Sequence, residues 1–110
     1  MRLDAAYPGS QCQRLGIHVN FAPVVDVNNN ASNPVIGFRS FGEDKHNVTR
    51  KALAYVKGMQ DNKILANAKH FPGHGDTNVD SHYGLPVLHF SKLRLDSTEL
   101  YPFRELMKNG

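Results

Sequence analysis

Apolar positions along this chain fall into two periods, and each predicts a different element. From Ile17 the pattern alternates, with Ile17, Val19 and Phe21 set against His18, Asn20 and Ala22 until Pro23 ends it, which predicts a strand over residues 17–25. Val48, Ala52, Val56 and Met59 instead recur at helical spacing, with Leu53 widening the stripe, so residues 46–60 predict an amphipathic helix. The short apolar run ILANAK, residues 64–69, predicts a second, buried strand. Upstream, SQCQRL at 10–15 reads as the end of a helix closed by Gly16. Downstream, Asp96-Ser-Thr-Glu99 has the spacing of a capping box, followed by Leu100, Phe103, Leu106 and Met107 as the apolar face of a last helix.

Each predicted strand runs into a long polar loop. DVNNNASNPVIGFRSFGED follows the first, and His70 to Gly84, punctuated by Pro72, Gly73, Gly75 and Gly84, follows the second. Long ordered loops of this kind carry function more often than they merely connect. Strand, loop, helix, strand, loop, helix is the rhythm of a parallel α/β fold, whose sites lie beyond the C-terminal ends of the strands. Two strands do not close a sheet, and a complete (β/α)₈ barrel takes about 250 residues. The pattern therefore predicts a few βα units of a parallel α/β fold, with the chain as a fragment of a larger one.

Composition narrows the function classes. With 110 residues and 40% hydrophobic content the chain can bury one modest core. Its 13 basic and 10 acidic residues are spread along the chain, and without a Lys/Arg stripe nucleic acid is not an expected partner. The single cysteine, Cys12, rules out an intramolecular disulfide and reads as a small packed residue. No stretch approaches the roughly 18 apolar residues of a membrane span, and MRLDAAYPGS lacks the apolar centre of a targeting segment.

Three of the six histidines, His70, His74 and His82, fall with Lys69, Asp76 and Asp80 inside KHFPGHGDTNVDSH, residues 69–82. Gly73 and Gly75 flank His74 and suggest a tightly turning backbone, with Pro72 fixing the approach. His18 and His89 read as surface or hydrogen-bonded core histidines. Three readings of the cluster compete. A metal site suits imidazole and carboxylate chemistry, but Pro72-Gly73 between His70 and His74 opposes the helix that would align them as ligands. A non-catalytic carbohydrate- or anion-binding surface accounts for Lys69, His70 and Arg39 and leaves Asp80-Ser-His82 without a role. In the third, His82 is a general acid/base whose tautomer Asp80 sets from two residues away.

KHFPGHGDTNVDSH closely resembles the signature of the β-N-acetylglucosaminidase branch of glycoside hydrolase family 3. NFAPVVDVN and VIGFRSFG match the same family in order and spacing, from about Gln11 to Gly110, while residues 1–10 do not align. The resemblance implies that residues 1–110 are a fragment of an N-terminal catalytic domain, a few βα units of a partial (β/α)₈ barrel, with His82 as acid/base paired with Asp80 on a mobile loop. It also implies that Arg39, Lys69 and His70 contact the sugar, that His74 shapes the loop with its flanking glycines, and that Asp26 supports the site from the rim. A retaining glycosidase needs a second carboxylate as nucleophile. The family places that aspartate after a later strand, and no segment of this chain matches it. The implied activity is retaining removal of terminal β-linked N-acetylglucosamine, plausibly from peptidoglycan fragments, with no metal or organic cofactor. A glycosidase or phosphorylase of the same branch acting on another sugar is the enzymatic alternative; a non-catalytic sugar-binding or unfolded fragment is the other.

Overall fold

The computed structural model describes residues 6–110. The opening MRLDA, half of the stretch that lacks the apolar centre of a targeting segment, lies outside the described residues. Helix α1 (Ala6–Arg14) ends as expected at Gly16, whose φ of 72° lets the Gly16 amide donate to Gln13 O and the Ile17 amide to Cys12 O at 3.1 and 2.9 Å. Strand β1 (Val19–Asn20) pairs in parallel with β2 (Leu65–Ala66), Val19 opposite Leu65 and Asn20 opposite Ala66. The ladder reaches further than those short spans. Asn67 N donates to Ala22 O, Lys69 N to Pro23 O and Val25 N to Lys69 O, so residues 18–25 and 65–69 run side by side. Pro23, with no N–H to give, interrupts the regular pattern.

The crossover between the strands is α2 (Lys45–Asp61), capped by the Asp44 carboxylate, which accepts from Asn47 N at 2.8 Å. Its predicted stripe faces the core: Val48, Ala52 and Met59 are fully buried, with Leu53 and Val56 packed at the margin. Val25 and Val27 from the end of the first strand meet Val48 and Ala52 from α2 and Phe103 and Leu106 from the last helix. Ile36, inside the first loop, is also fully buried.

Two expectations need correction. Leu65, in the strand expected to be buried, is exposed; on the first strand Ile17, Val19 and Phe21 are exposed too, while the polar Asn20 turns inward and donates to Tyr55 Oη at 3.3 Å. A parallel sheet is normally covered on both faces, and among the described residues only the face toward α2 is. The C-terminal segment forms two helices, not one. Ser91 accepts from Arg94 N and starts α3 (Lys92–Ser97), so Asp96 lies inside a helix and is no cap. Helix α4 (Tyr101–Lys108) begins with Pro102 in its first turn, where proline's fixed φ is already helical, and has no side-chain cap. Asp96 instead pairs with Arg104 at 3.5 Å, Glu99 is buried, and Met107 is exposed. No helix among the described residues is long and apolar enough to cross a membrane.

Candidate active site

The site is built where the two strands end. Asp26 follows directly on Val25, and its side chain is fully enclosed. Three N–H groups converge on it: His70 N at 3.1 Å and His70 Nδ1 at 2.7 Å reach Oδ2, and His74 N at 2.6 Å reaches Oδ1. A buried carboxylate without such donors would be costly, so these bonds tie the second loop to the end of the first strand.

The same half of the loop is held from other sides. A Cβ at Gly75 would lie 1.8 Å from Val27 O, and one at Gly73, whose φ is 132°, would lie 2.7 Å from Glu99 Cβ. The backbone therefore passes where only glycine fits. Asn33 Nδ2 donates to His74 O at 2.6 Å while Asn33 Oδ1 accepts from Val35 N and Ile36 N, which links the two loops. Thr77 Oγ1 lies 2.5 Å from His74 Nδ1, and Arg94 bridges Asp76 and the buried Glu99 at 3.1 and 3.3 Å. Thr77, Asn33 and Arg94 were not singled out from the sequence, and Glu99 was read only as part of a capping box. Asn33-Pro34, a turn-forming pair inside an Asn-rich loop, was the available signal for Asn33.

His82 stands apart from this framework. Its side chain is 83% exposed, and among the described residues its hydrogen bonds go to Asp80: His82 N and Nδ1 both reach Asp80 Oδ1, at 2.9 and 2.8 Å. The amide N–H, then the ring, hold the Asp80 carboxyl below its ordinary range. Because an ionised carboxylate only accepts, Nδ1 carries the proton and Nε2 is left for exchange with another group.

A cleft of about 380 Å³ lies over the loop, lined by His70, Phe71, Pro72, His74, Thr77, Ser81, Pro86 and Leu88. The structure thus brings His70 and His74 together, with ring centroids 6.2 Å apart, but leaves His82, Asp80, Lys69 and Arg39 outside the lining. Lys69 sits at the strand end with its backbone in the ladder, and Arg39 lies exposed on a 3₁₀ turn (Gly37–Arg39), bonded to Val35 O at 3.3 Å. His18 and His89 are exposed, and Cys12 is half-buried near Asn20. No group of three or more His, Cys, Asp and Glu side chains converges as metal ligands among the described residues.

Comparison with known proteins places this architecture. The glycosyl hydrolase family 3 N-terminal domain matches residues 5–110. Beta-hexosaminidase A of Pseudoalteromonas piscicida is 50% identical over 100 residues, which are 91% of this chain and 17% of that protein. A glycoside hydrolase family 3 β-N-acetylglucosaminidase from Paenibacillus sp. FPU-7 superposes with a TM-score of 0.94 at 50% identity, over 96% of this chain and 20% of that one. Beta-glucoside phosphorylase BglX superposes with a TM-score of 0.92 at 27% identity, over 96% of this chain and 19% of that one. The chain spans about a fifth or less of the length of these relatives. Its two parallel strands and crossover helix are part of a (β/α)₈ barrel, and the chain belongs to glycosyl hydrolase family 3, within its N-terminal domain.

Proposed function

We propose that this segment supplies the acid/base and part of the sugar-binding surface of a retaining β-N-acetylglucosaminidase. The observation that carries the reading is the His82–Asp80 pair, whose Nδ1···Oδ1 separation of 2.8 Å fixes the tautomer and leaves Nε2 exposed. As imidazolium, protonated on both nitrogens, His82 gives its Nε2 proton to the glycosidic oxygen as the C1–O bond breaks and a carboxylate bonds to C1, which leaves the neutral Nδ1–H tautomer. Nε2 then takes a proton from water as the water oxygen attacks C1 and the carboxylate leaves. Asp80 stays ionised throughout and orients the ring.

The attacking carboxylate comes from another segment on this reading. Those near the cleft are already engaged: Asp26 by three N–H groups, Asp76 and Glu99 by Arg94. His70, Lys69 and Arg39 serve the sugar, with His74, Gly73 and Gly75 setting the loop's path. Peptidoglycan fragments are the substrate pool to which the family resemblance points. The likeness to a β-glucoside phosphorylase favours one second reading, in which phosphate replaces water as acceptor and a sugar 1-phosphate is released. An imidazole acid/base, unlike a carboxylate, does not repel that anion.

The test is a chimera in which these residues replace the matching segment of the Paenibacillus enzyme, supplied with an aryl β-N-acetylglucosaminide. The anomeric proton followed by NMR should show the β-anomer of N-acetylglucosamine first. An α-anomer first would contradict a retaining mechanism, and a sugar 1-phosphate formed in phosphate buffer would favour the second reading.

A further inference from the structure

We propose that Asp26 is the positioning residue for the sugar-binding end of the site: it fixes the tautomer of His70 and so presents Nε2 toward the cleft as a hydrogen-bond acceptor. The inference rests on the reading that His70 contacts the sugar. Asp26 is fully enclosed, and both of its oxygens are used by N–H donors from the loop. It is therefore placed to hold groups, not to react. One carboxylate oxygen serves both the His70 amide and the His70 ring, which locks the ring to its own backbone through a third group. The nitrogen that a histidine keeps protonated is set by the hydrogen bond it makes, and a carboxylate accepts only. Nδ1 therefore carries the proton, and whenever the ring is neutral its Nε2, on a side chain 35% exposed and lining the cleft, is the unprotonated nitrogen. A sugar hydroxyl would donate to it.

In Asp26→Asn either orientation of the amide sets an N–H against at least one of the three N–H donors. The experiment uses the chimera described above with ¹⁵N-labelled histidine, the His70 resonances being identified by their loss in His70→Gln. In the parent, long-range ¹H–¹⁵N spectra taken where the His70 ring is neutral should show it protonated at Nδ1 and bare at Nε2. The Asp26→Asn protein should lose that signature and show KM raised about 3- to 10-fold, the scale of a lost hydrogen bond between neutral groups, with kcat on an activated aryl substrate changed less. A general loss of structure would lower activity without moving the tautomer of the folded fraction. A parent His70 protonated at Nε2 would overturn the proposal whether or not the variant folds, as would a folded variant with parental KM and tautomer. If His70→Ala leaves KM unchanged, the sugar-contact reading itself fails; if His70→Ala raises KM and Asp26→Asn does not, only the positioning role fails.

Discussion

Residues 70–77 and 78–90 belong to one loop, yet they are held in opposite ways. The first stretch is fixed from beneath by Asp26, from the first loop by Asn33, from α3 by Arg94 and by two glycines pressed against neighbouring atoms. The second carries His82, Tyr83, Leu85 and Val87 exposed, and its local order comes from the turn closed on Asp80, with His82 N on the carboxylate and Tyr83 N and Gly84 N on Asp80 O. A sugar-gripping surface gains from being fixed before the ligand arrives. A group that must reach the leaving oxygen and later a water gains from a tether that allows movement. The division suits the proposed roles of His70 and His82.

The largest expected contrast lies between two glycines. Gly75→Ala would drive a methyl into Val27 O and C, backbone atoms that cannot yield, and should destabilise the chimera by about 3 kcal/mol in urea unfolding. For Gly84→Ala the nearest atom is Val79 Cγ1 at 3.4 Å, and the change should stay within about 0.5 kcal/mol. Equal losses would erase the distinction between the halves. A smaller contrast separates Thr77→Val, which strips the hydroxyl from His74 Nδ1 and should cost about 1–2 kcal/mol, from Tyr83→Ala at a 91% exposed position, expected within about 0.5 kcal/mol. The smallest effect is a titration. Because His82 holds the Asp80 carboxyl below the ordinary value of 3.8, the pairing should be intact above that pH and lost only as pH falls through the lowered value. Carboxyl ¹³C shifts of Asp80 should therefore show a midpoint under 3.8, and one at or above it would mean that the His82 contact is not kept in solution.

What the sequence made legible was whatever depends on near neighbours. The stripe of α2, the cap at Gly16 and both loops beyond the strands follow from spacings of a few residues, and the three family motifs marked the loops to which the chemistry is assigned in the proposal. The capping box at 96–99 failed because Ser91 caps an earlier helix and Pro102 starts the next without a side-chain cap. That Ile17, Val19 and Phe21 lie on the exposed face was not legible, because alternation reports two faces and not which one is covered. Asp26 was expected only to support the rim. Its partners His70 and His74 are 44 and 48 residues away, and no local pattern shows three N–H groups closing on one carboxylate.

The central claim is that the exposed half transfers the proton while the fixed half binds. Its most direct test compares His82→Ala with His70→Ala in the chimera on two substrates, one with a poor alkyl or sugar leaving group and one with an activated aryl group. Loss of His82 should slow the poor leaving group by about 10²- to 10⁴-fold and the activated one far less, because the latter departs without a proton. Loss of His70 should lower kcat/KM for both by a similar factor. If His82→Ala slows both substrates equally, proton transfer does not reside in the exposed half and the assignment of His82 fails.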